Sequence, residues 1–215
     1  MSGEAAARAG ILRVALDLDA AGLMPNKSGN VSLRTPAGFL ITPSGVPYRD
    51  LDAGDLVEIV PGAPAAGARR PSSEWRLHAA IYARRPEVAA IVHTHSPRAT
   101  ALACAGRGIP PFHYMIALAG GAVCCMPYET FGSEALAEAA LRGLWRRRAV
   151  LLANHGVVAV GGSLARASAV ALEVENLAGQ YLDLLAAGLE PQLLSDEELE
   201  VVIARFADYG RLDPP

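Results

Sequence analysis

The stretch AAIVHTH, residues 89–95, is the most informative segment of this 215-residue chain. It is apolar until its end, where His93 and His95 flank a threonine, and this pattern predicts a strand that ends in two histidines. Side chains two residues apart on a strand point to the same face, so both imidazoles can reach one ion at the Zn–N distance of about 2.0–2.1 Å. The H-x-H pattern alone is a weak signal, however, and by itself it favours two unrelated surface histidines over a metal site.

Outward from this segment, strand and helix patterns alternate along the chain. The predicted strands are VSLR (31–34), FLIT (39–42), LVEIV (56–60), AVCCM (122–126), VLLA (150–153) and VVAV (157–160). The predicted helices cover residues 4–21, about 73–84 with Ser72 or Ser73 as cap, about 97–104, 133–148, about 163–187 and about 196–208. Several hairpin-like turns lie between them. This order predicts one α/β (three-layer) domain over residues 1–215, with a central, largely antiparallel β-sheet covered by helices on both faces.

Composition narrows the class of protein. Hydrophobic residues make up 52% of the chain and charged residues 19%, which is typical of a globular domain. The net charge is −3 without a basic excess, so we expect neither nucleic acid nor a membrane as a partner. No apolar run is long enough to cross a bilayer, and Arg8 and Arg13 interrupt the first apolar stretch. We therefore expect a cytoplasmic protein.

The three cysteines agree with that location. Their count is odd and Cys124 and Cys125 are adjacent, which does not fit a disulfide framework. Because these two lie in the apolar run AVCCM, we expect buried thiols in a strand.

A third histidine extends the metal hypothesis. His155 lies in the tripeptide NHG, directly after the predicted strand VLLA. If the two strands share a sheet, their ends can converge and supply three neutral nitrogen ligands with an open fourth position, the pattern of a catalytic zinc site. The alternative is three unrelated surface or loop histidines, and from the residues alone the two interpretations are about equal.

Serine- and glycine-containing loops suggest an anion site. Ser72, Ser73 and Glu74 open a helix, where hydroxyl groups and free N–H groups can bind a phosphate and Glu74 can act as a general base. The residues alone favour an ordinary helix cap. Gly29 and Gly45 are open to the same two interpretations. For His78, four residues after Glu74, we favour a helix-packing or surface role. For the arginine run 146–148 we favour a solvated last turn of a helix.

Taken together, these segments resemble the class II aldolase and adducin family, in collinear order over nearly the whole chain. The segments that carry the resemblance are GNVSLR (29–34), LITPSGVPY (40–48), PSSEWRLH (71–78), VHTH (92–95), IPPFHYMIALAGG (109–121), PYETFG (127–132), NHG (154–156) and SDEEL (195–199).

The resemblance implies a metal-dependent lyase with one Zn²⁺ per subunit. It implies that His93, His95 and His155 are the zinc ligands. Glu74 would be the catalytic acid/base and can also serve as the fourth ligand. Tyr114 would exchange a proton at the aldehyde oxygen, from a neighbouring subunit of a homotetramer whose active sites lie at the subunit interfaces.

The resemblance also implies a phosphate pocket and an aldehyde wall. The pocket residues would be Gly29, Asn30, Ser44, Gly45, Ser72 and Ser73. Lys27 stands where the family pattern leads us to expect a small hydroxyl residue, and a cation beside a phosphate is chemically sensible. Phe131 and Tyr209 resemble residues that wall the aldehyde side.

The implied substrate is a phosphorylated sugar. It would be L-fuculose 1-phosphate or a close analogue, cleaved reversibly to dihydroxyacetone phosphate and an aldehyde such as L-lactaldehyde. Alternatives that keep the same site are an aldolase for 5-deoxyribulose or methylthioribulose 1-phosphate, or a family epimerase, dehydratase or decarboxylase. An adducin-like scaffold domain is the non-enzymatic alternative, which the complete histidine set and Glu74 disfavour. Lys27 is the only lysine, which disfavours a Schiff-base aldolase.

Overall fold

A sheet of seven strands forms the centre of the computed structural model, which describes residues 3–208. In chain order the strands are β1 (Asn30–Arg34), β2 (Phe39–Ile41), β3 (Val57–Ile59), β4 (Ala90–Thr94), β5 (Cys125–Met126), β6 (Ala149–Leu152) and β7 (Gly156–Gly161). Their order across the sheet is β3-β2-β1-β4-β7-β6-β5, and β5 with β6 is the one parallel pair within residues 3–208. The predicted α/β fold with a largely antiparallel sheet is confirmed.

Six α-helices accompany the sheet in the described part of the chain. They are α1 (Gly3–Ala20), α2 (Trp75–Arg84), α3 (Pro97–Cys104), α4 (Glu134–Gly143), α5 (Leu164–Ala186) and α6 (Asp196–Asp208). Within these described residues, no helix has both the length and the apolar character needed to cross a membrane.

Neighbouring side chains of β4 enter two different hydrophobic clusters. Ala90 and Val92 belong to a cluster with residues of α1, α3 and α5, whereas Ile91 belongs to one with residues of α2 and α4. Because successive strand side chains point to opposite faces, the two groups of helices pack on opposite faces of the sheet.

The polar loops lie together along the edge of the sheet that is formed by the ends of its strands. His93 of β4 pairs with Asn30 of β1 on one side and with Val158 of β7 on the other. The turn between β6 and β7 contains His155, and the segment before α2 joins the same edge, because the N–H of Ser72 donates to the carbonyl of Thr42 (3.2 Å). The fold thus brings the ends of four chain segments together.

Two predicted helix boundaries are wrong. No serine caps α2, which begins at Trp75 with Glu74 at the cap position; the Ser72 hydroxyl instead accepts from the N–H of Glu74 (3.3 Å) in a turn before the helix. α4 ends at Gly143 rather than at 148, because Arg146 takes a left-handed conformation (φ 54°) and the N–H of Arg148 bonds to Ala119 (2.7 Å). The arginine run therefore lies in a turn and not in a last helical turn.

The prediction for the thiols is also wrong in part. β5 is an edge strand of two residues, so only Cys125 of the pair lies in it, half-buried, and Cys124 is exposed. Before it, Val123 forms an isolated bridge with Ile109.

Candidate metal centre and its cavity

Three imidazole rings surround a common point at this edge of the sheet. The centroids of His93, His95 and His155 lie 4.9, 4.9 and 5.0 Å apart, and the rings are nearly perpendicular to one another. His93 is the penultimate residue of β4, His95 directly follows the strand on the same side, and His155 comes from the β6–β7 turn. The rings thus present their nitrogen atoms to one another rather than to separate environments.

Hydrogen bonding fixes the tautomer of His93. Its Nδ1 lies 2.8 Å from the carbonyl oxygen of Val157, which can only accept, so Nδ1 carries the proton. In the neutral ring Nε2 is then unprotonated, and it lies 3.0 Å from Nε2 of His95. A carbonyl that orients an imidazole in this way is the usual support of a metal-ligating histidine.

Glu74 completes the group from the opposite side. Its Oε2 lies 2.9 Å from Nε2 of His93, and its Oε1 lies 3.1 Å from Nε2 of His155. Oε1 is buried and has no hydrogen-bond partner among residues 3–208, since the contact with His155 lacks hydrogen-bond alignment. Burial raises the pKa of the Glu74 carboxyl, but the neighbouring imidazoles in their protonated form, His93 first, outweigh burial and hold the pKa below its usual range.

These residues fit a divalent metal ion. The four donor atoms lie within 4.8 Å of one another, and electron-rich atoms this close repel unless a proton or cation lies between them. Burial, and the positive charge that His93 and His155 carry when they are protonated, lower the pKa of His95 to about 3, so its ring is neutral near pH 7 and can donate a lone pair. Three imidazoles with one carboxylate suit zinc, and other divalent transition metals bind the same donors.

A cavity of about 290 Å³ opens beside the four donors. Most residues that the sequence singled out line it, namely Lys27, Gly29, Asn30, Ser44, Gly45, Ser72, Ser73, Glu74, His95, Phe131 and His155. His93 lies behind them with no exposed surface. The cavity therefore joins a metal-ligand set to a wall of hydroxyl groups and loop glycines, which suits a phosphorylated ligand.

Close packing explains why position 29 is a glycine. Gly29 has a φ of +96°, and a Cβ there would lie 2.5 Å from the carbonyl oxygen of His93. Tyr48 holds the same loop, because its hydroxyl donates to the carbonyl of Gly29 (2.8 Å). Gly29 thus sets the distance between the first loop and the metal-ligand strand.

Sequence reasoning missed several residues of the cavity wall. Tyr128, Glu129 and Asn154 line the cavity together with the expected Phe131. Tyr128 and Glu129 belong to the segment PYETFG, which carried the resemblance, and that was the available signal. Lys27 lines the opening with a left-handed backbone (φ 64°).

One other predicted residue, Tyr114, is not brought into the cavity of this single chain. Tyr114 is not among the described residues that line it; its side chain is 53% exposed and its ring stacks on Phe206 with centroids 6.3 Å apart. Tyr209 lies outside the described residues.

The chain matches a known family over most of its length. Residues 9–182 match the family described as Class II Aldolase and Adducin N-terminal domain. One relative, from Rhodospirillum rubrum, is named 5-methylthioribulose-1-phosphate/5-deoxyribulose-1-phosphate aldolase; it is 46% identical over 206 residues, which cover 95% of this chain and 93% of that protein. Another, from Haemophilus influenzae, is named L-fuculose phosphate aldolase and is 41% identical over 201 residues, which cover 93% of each chain.

The fold agrees with that match. A solved structure named L-fuculose 1-phosphate aldolase superimposes with a TM-score of 0.90 at 36% sequence identity, covering 94% of this chain and 96% of the other.

Proposed function

This chain belongs to the class II aldolase and adducin family, and we propose that it is a metal-dependent aldolase that cleaves a ketose 1-phosphate to dihydroxyacetone phosphate and an aldehyde. The observation that carries the proposal is the convergence of Glu74 with His93, His95 and His155 at the wall of a cavity with serine hydroxyl groups. A scaffold domain would have no need of four buried or half-buried donors within 4.8 Å of one another.

We propose one Zn²⁺ per subunit, which His93, His95 and His155 would hold, with Glu74 as the fourth ligand. When bound, the ion supplies a Lewis acid that stabilises negative charge on the substrate oxygens. The support is the donor set and the orientation of His93 by Val157.

The phosphate is assigned to the opposite wall. Gly29, Asn30, Ser44, Gly45, Ser72 and Ser73 form it, and Lys27 adds a cation. The N–H of Ser44 already donates to Arg70 (3.1 Å), so Ser44 contributes its hydroxyl group. Binding the phosphate at this wall fixes the reacting carbons near Glu74, which lowers the entropic part of the barrier.

The proton transfers fall to two residues of the chain. Cleavage breaks the bond between the third and fourth carbons, and the electron pair stays with the third. Tyr114 takes the proton of the hydroxyl group that becomes the aldehyde oxygen and afterwards releases it to water. Glu74 takes up one proton from water and delivers it to the third carbon. The products are the aldehyde and dihydroxyacetone phosphate.

Tyr114 can play this role only from another copy of the chain. Its exposed position away from the cavity supports a homotetramer in which each active site lies at a subunit interface. Phe131 and Tyr209 would then wall the aldehyde side. We further propose that residues 1–215 form a single domain of this type, and a cytoplasmic location stays a prediction.

The aldehyde half of the substrate has two main candidates. L-fuculose 1-phosphate yields L-lactaldehyde, which carries a hydroxyl group next to the aldehyde carbon. 5-deoxyribulose or methylthioribulose 1-phosphate yields an aldehyde without a hydroxyl group at that position. The relative at 41% identity is named for L-fuculose phosphate, and the relative at 46% identity is named for the methylthioribulose and deoxyribulose phosphates. An epimerase, dehydratase or decarboxylase would keep the metal site and change the products.

A panel of ketose 1-phosphates tests the proposal. We expect release of dihydroxyacetone phosphate from at least one member, loss of that activity on chelation, and recovery with Zn²⁺. Activity that survives complete metal removal, or substrate trapped on Lys27 by borohydride, would contradict a metal-dependent aldolase. Epimerised or dehydrated product without dihydroxyacetone phosphate would select the alternative reactions.

A further inference from the structure

A buried row of polar side chains joins β1 to α2 behind the cavity; we call it the polar seam. Alternate residues of β1 meet residues four apart on α2 and its cap, because two strand residues span about 6.6 Å and four helical residues about 6 Å. The members of the polar seam are Asn30, Ser32, Glu74, His78 and Tyr82.

The polar seam consists of two hydrogen-bonded groups, one between Asn30 and Glu74 and one among Ser32, His78 and Tyr82. Nδ2 of Asn30 donates to Oε2 of Glu74 (3.2 Å), and the Ser32 hydroxyl lies 2.7 Å from Nδ1 of His78 and 2.7 Å from the Tyr82 hydroxyl. His78 and Ser32 have no exposed surface. The two groups are joined through the backbones of α2 and β1, so His78, for which the proposed mechanism has no use, lies on the same helix whose cap position holds the proposed catalytic carboxylate.

The direction of these hydrogen bonds follows from their last acceptor. The Tyr82 hydroxyl donates to the carbonyl of Ala89 (3.4 Å), so Ser32 donates to Tyr82 and His78 donates to Ser32 through Nδ1. In this arrangement each of the three donated protons, from His78, Ser32 and Tyr82, has an acceptor. Nε2 of His78 is then an unprotonated acceptor, buried and without a partner in residues 3–208. Burial, and then the charge of His93, lower the pKa of His78 to about 3, so the ring is neutral.

An apolar residue at position 78 would be buried at a lower cost in free energy than histidine. Burying polar groups costs free energy that their hydrogen bonds only offset, and His78 leaves one acceptor unsatisfied. Leucine packing would serve stability alone equally well, as at Leu77 and Ile81 on the same helix. A buried group that stability does not require is a candidate for a role in the site.

We propose that His78 is a positioning residue, whose Nδ1–H bond to Ser32 locks α2 in register with β1 and so aims the Glu74 carboxylate at the three histidines. The inference rests on the proposed function only for the role of Glu74.

Three substitutions of His78 distinguish the contributions of its Nδ1 and Nε2 atoms. His78→Asn keeps an N–H donor at the δ position that faces Ser32, His78→Gln moves the amide to the ε position, and His78→Leu removes both. We expect kcat to fall about 10- to 100-fold in the leucine and glutamine variants, the range for a small misplacement of a catalytic group. His78→Asn should stay within about threefold of wild type.

The accompanying measurements distinguish positioning from general loosening. In His78→Leu, we expect unchanged KM for the ketose 1-phosphate, unchanged zinc content and a melting temperature at or above that of wild type. Ile81→Ala is the matched control, because it opens a cavity in the same buried face of α2 outside the polar seam. It should lower the melting temperature and leave kcat unchanged.

Several outcomes would overturn the inference. These are a fully active His78→Leu, rescue by glutamine instead of asparagine, or an equal fall in kcat in Ile81→Ala. If wild type cleaves no ketose 1-phosphate, the proposed function fails on its own. The polar seam is then judged from a crystal structure of His78→Leu, where a Glu74 carboxylate still hydrogen-bonded to Asn30 would contradict the positioning role.

Discussion

Replacing Gly156 with alanine tests how closely the strands around the metal centre are packed. A Cβ at this position would lie 2.3 Å from the carbonyl oxygen of Thr94 and 3.2 Å from Cδ2 of His95. Cβ contacts below 3.0 Å essentially do not occur, so the first residue of β7 must move away from β4 by about 0.7 Å. We expect the free energy of unfolding to fall by about 1–3 kcal/mol, as for other overpacked core positions.

The same displacement reaches the ligands. Metal–ligand distances tolerate only about ±0.2 Å, and the shift acts directly on His95. We therefore expect zinc affinity to fall about 10- to 100-fold, the range seen when the support of a ligand is lost. Denaturant unfolding measures the first effect, and competition with a chromophoric chelator measures the second.

Gly162→Ala is the matched control. Its Cβ would come no closer than 3.9 Å, to the carbonyl oxygen of Glu87, and it shares the loss of glycine freedom in the unfolded chain. The difference between the two variants therefore isolates the steric effect. If Gly156→Ala unfolds at the same denaturant concentration as Gly162→Ala and binds zinc as tightly, the close approach of β7 to Thr94 is refuted.

Other predictions concern single side chains. Lys27→Met should raise KM for the ketose 1-phosphate about tenfold with little change in kcat, because a charged hydrogen bond to phosphate contributes about 1.5–3 kcal/mol and this one is partly solvated; an unchanged KM would remove Lys27 from the phosphate site. Tyr114→Phe should lower kcat and leave the melting temperature unchanged, because the side chain is 53% exposed; full activity would contradict its role in proton transfer. The hydrogen bond from Arg69 (2.7 Å), then that from the Asp52 N–H, hold the pKa of Asp55 below its usual value, so its stabilisation is complete above about pH 4 and is lost as pH falls. Urea unfolding should find Asp55→Asn less stable than wild type at pH 7, with a difference that shrinks toward pH 3.

The element pattern was predictable because it depends on near neighbours in the chain. Strand alternation and helical spacing located β4 within one residue at each end, and α3 and α6 at the observed bounds. The errors occur where a distant contact overrides the local pattern. The helical periodicity runs on past Gly143, but the bond from Arg148 to Ala119 turns the chain into β6.

In the candidate site, too, local patterns were predictable and contacts between distant segments were not. The sequence placed two histidines two residues apart on one strand, and so on one face, without knowledge of any other segment. It could not show that Asn30 would pair beside His93, because the register between β1 and β4 depends on a contact across more than sixty residues.

His78 and Tyr114 mark the remaining limit. Helical spacing left His78 with a surface or packing role as the favoured interpretation, and only the docking of α2 on β1 buried it against Ser32. Tyr114 is exposed in the single chain, so its predicted place in an active site depends on how copies assemble. The sequence by itself determined the strands, the helices and the chemical types of the donors, since these follow from local periodicity and side-chain chemistry. Tertiary structure decided which donors converge and which polar groups are buried, because strand register and helix docking are set by packing between segments far apart in the chain.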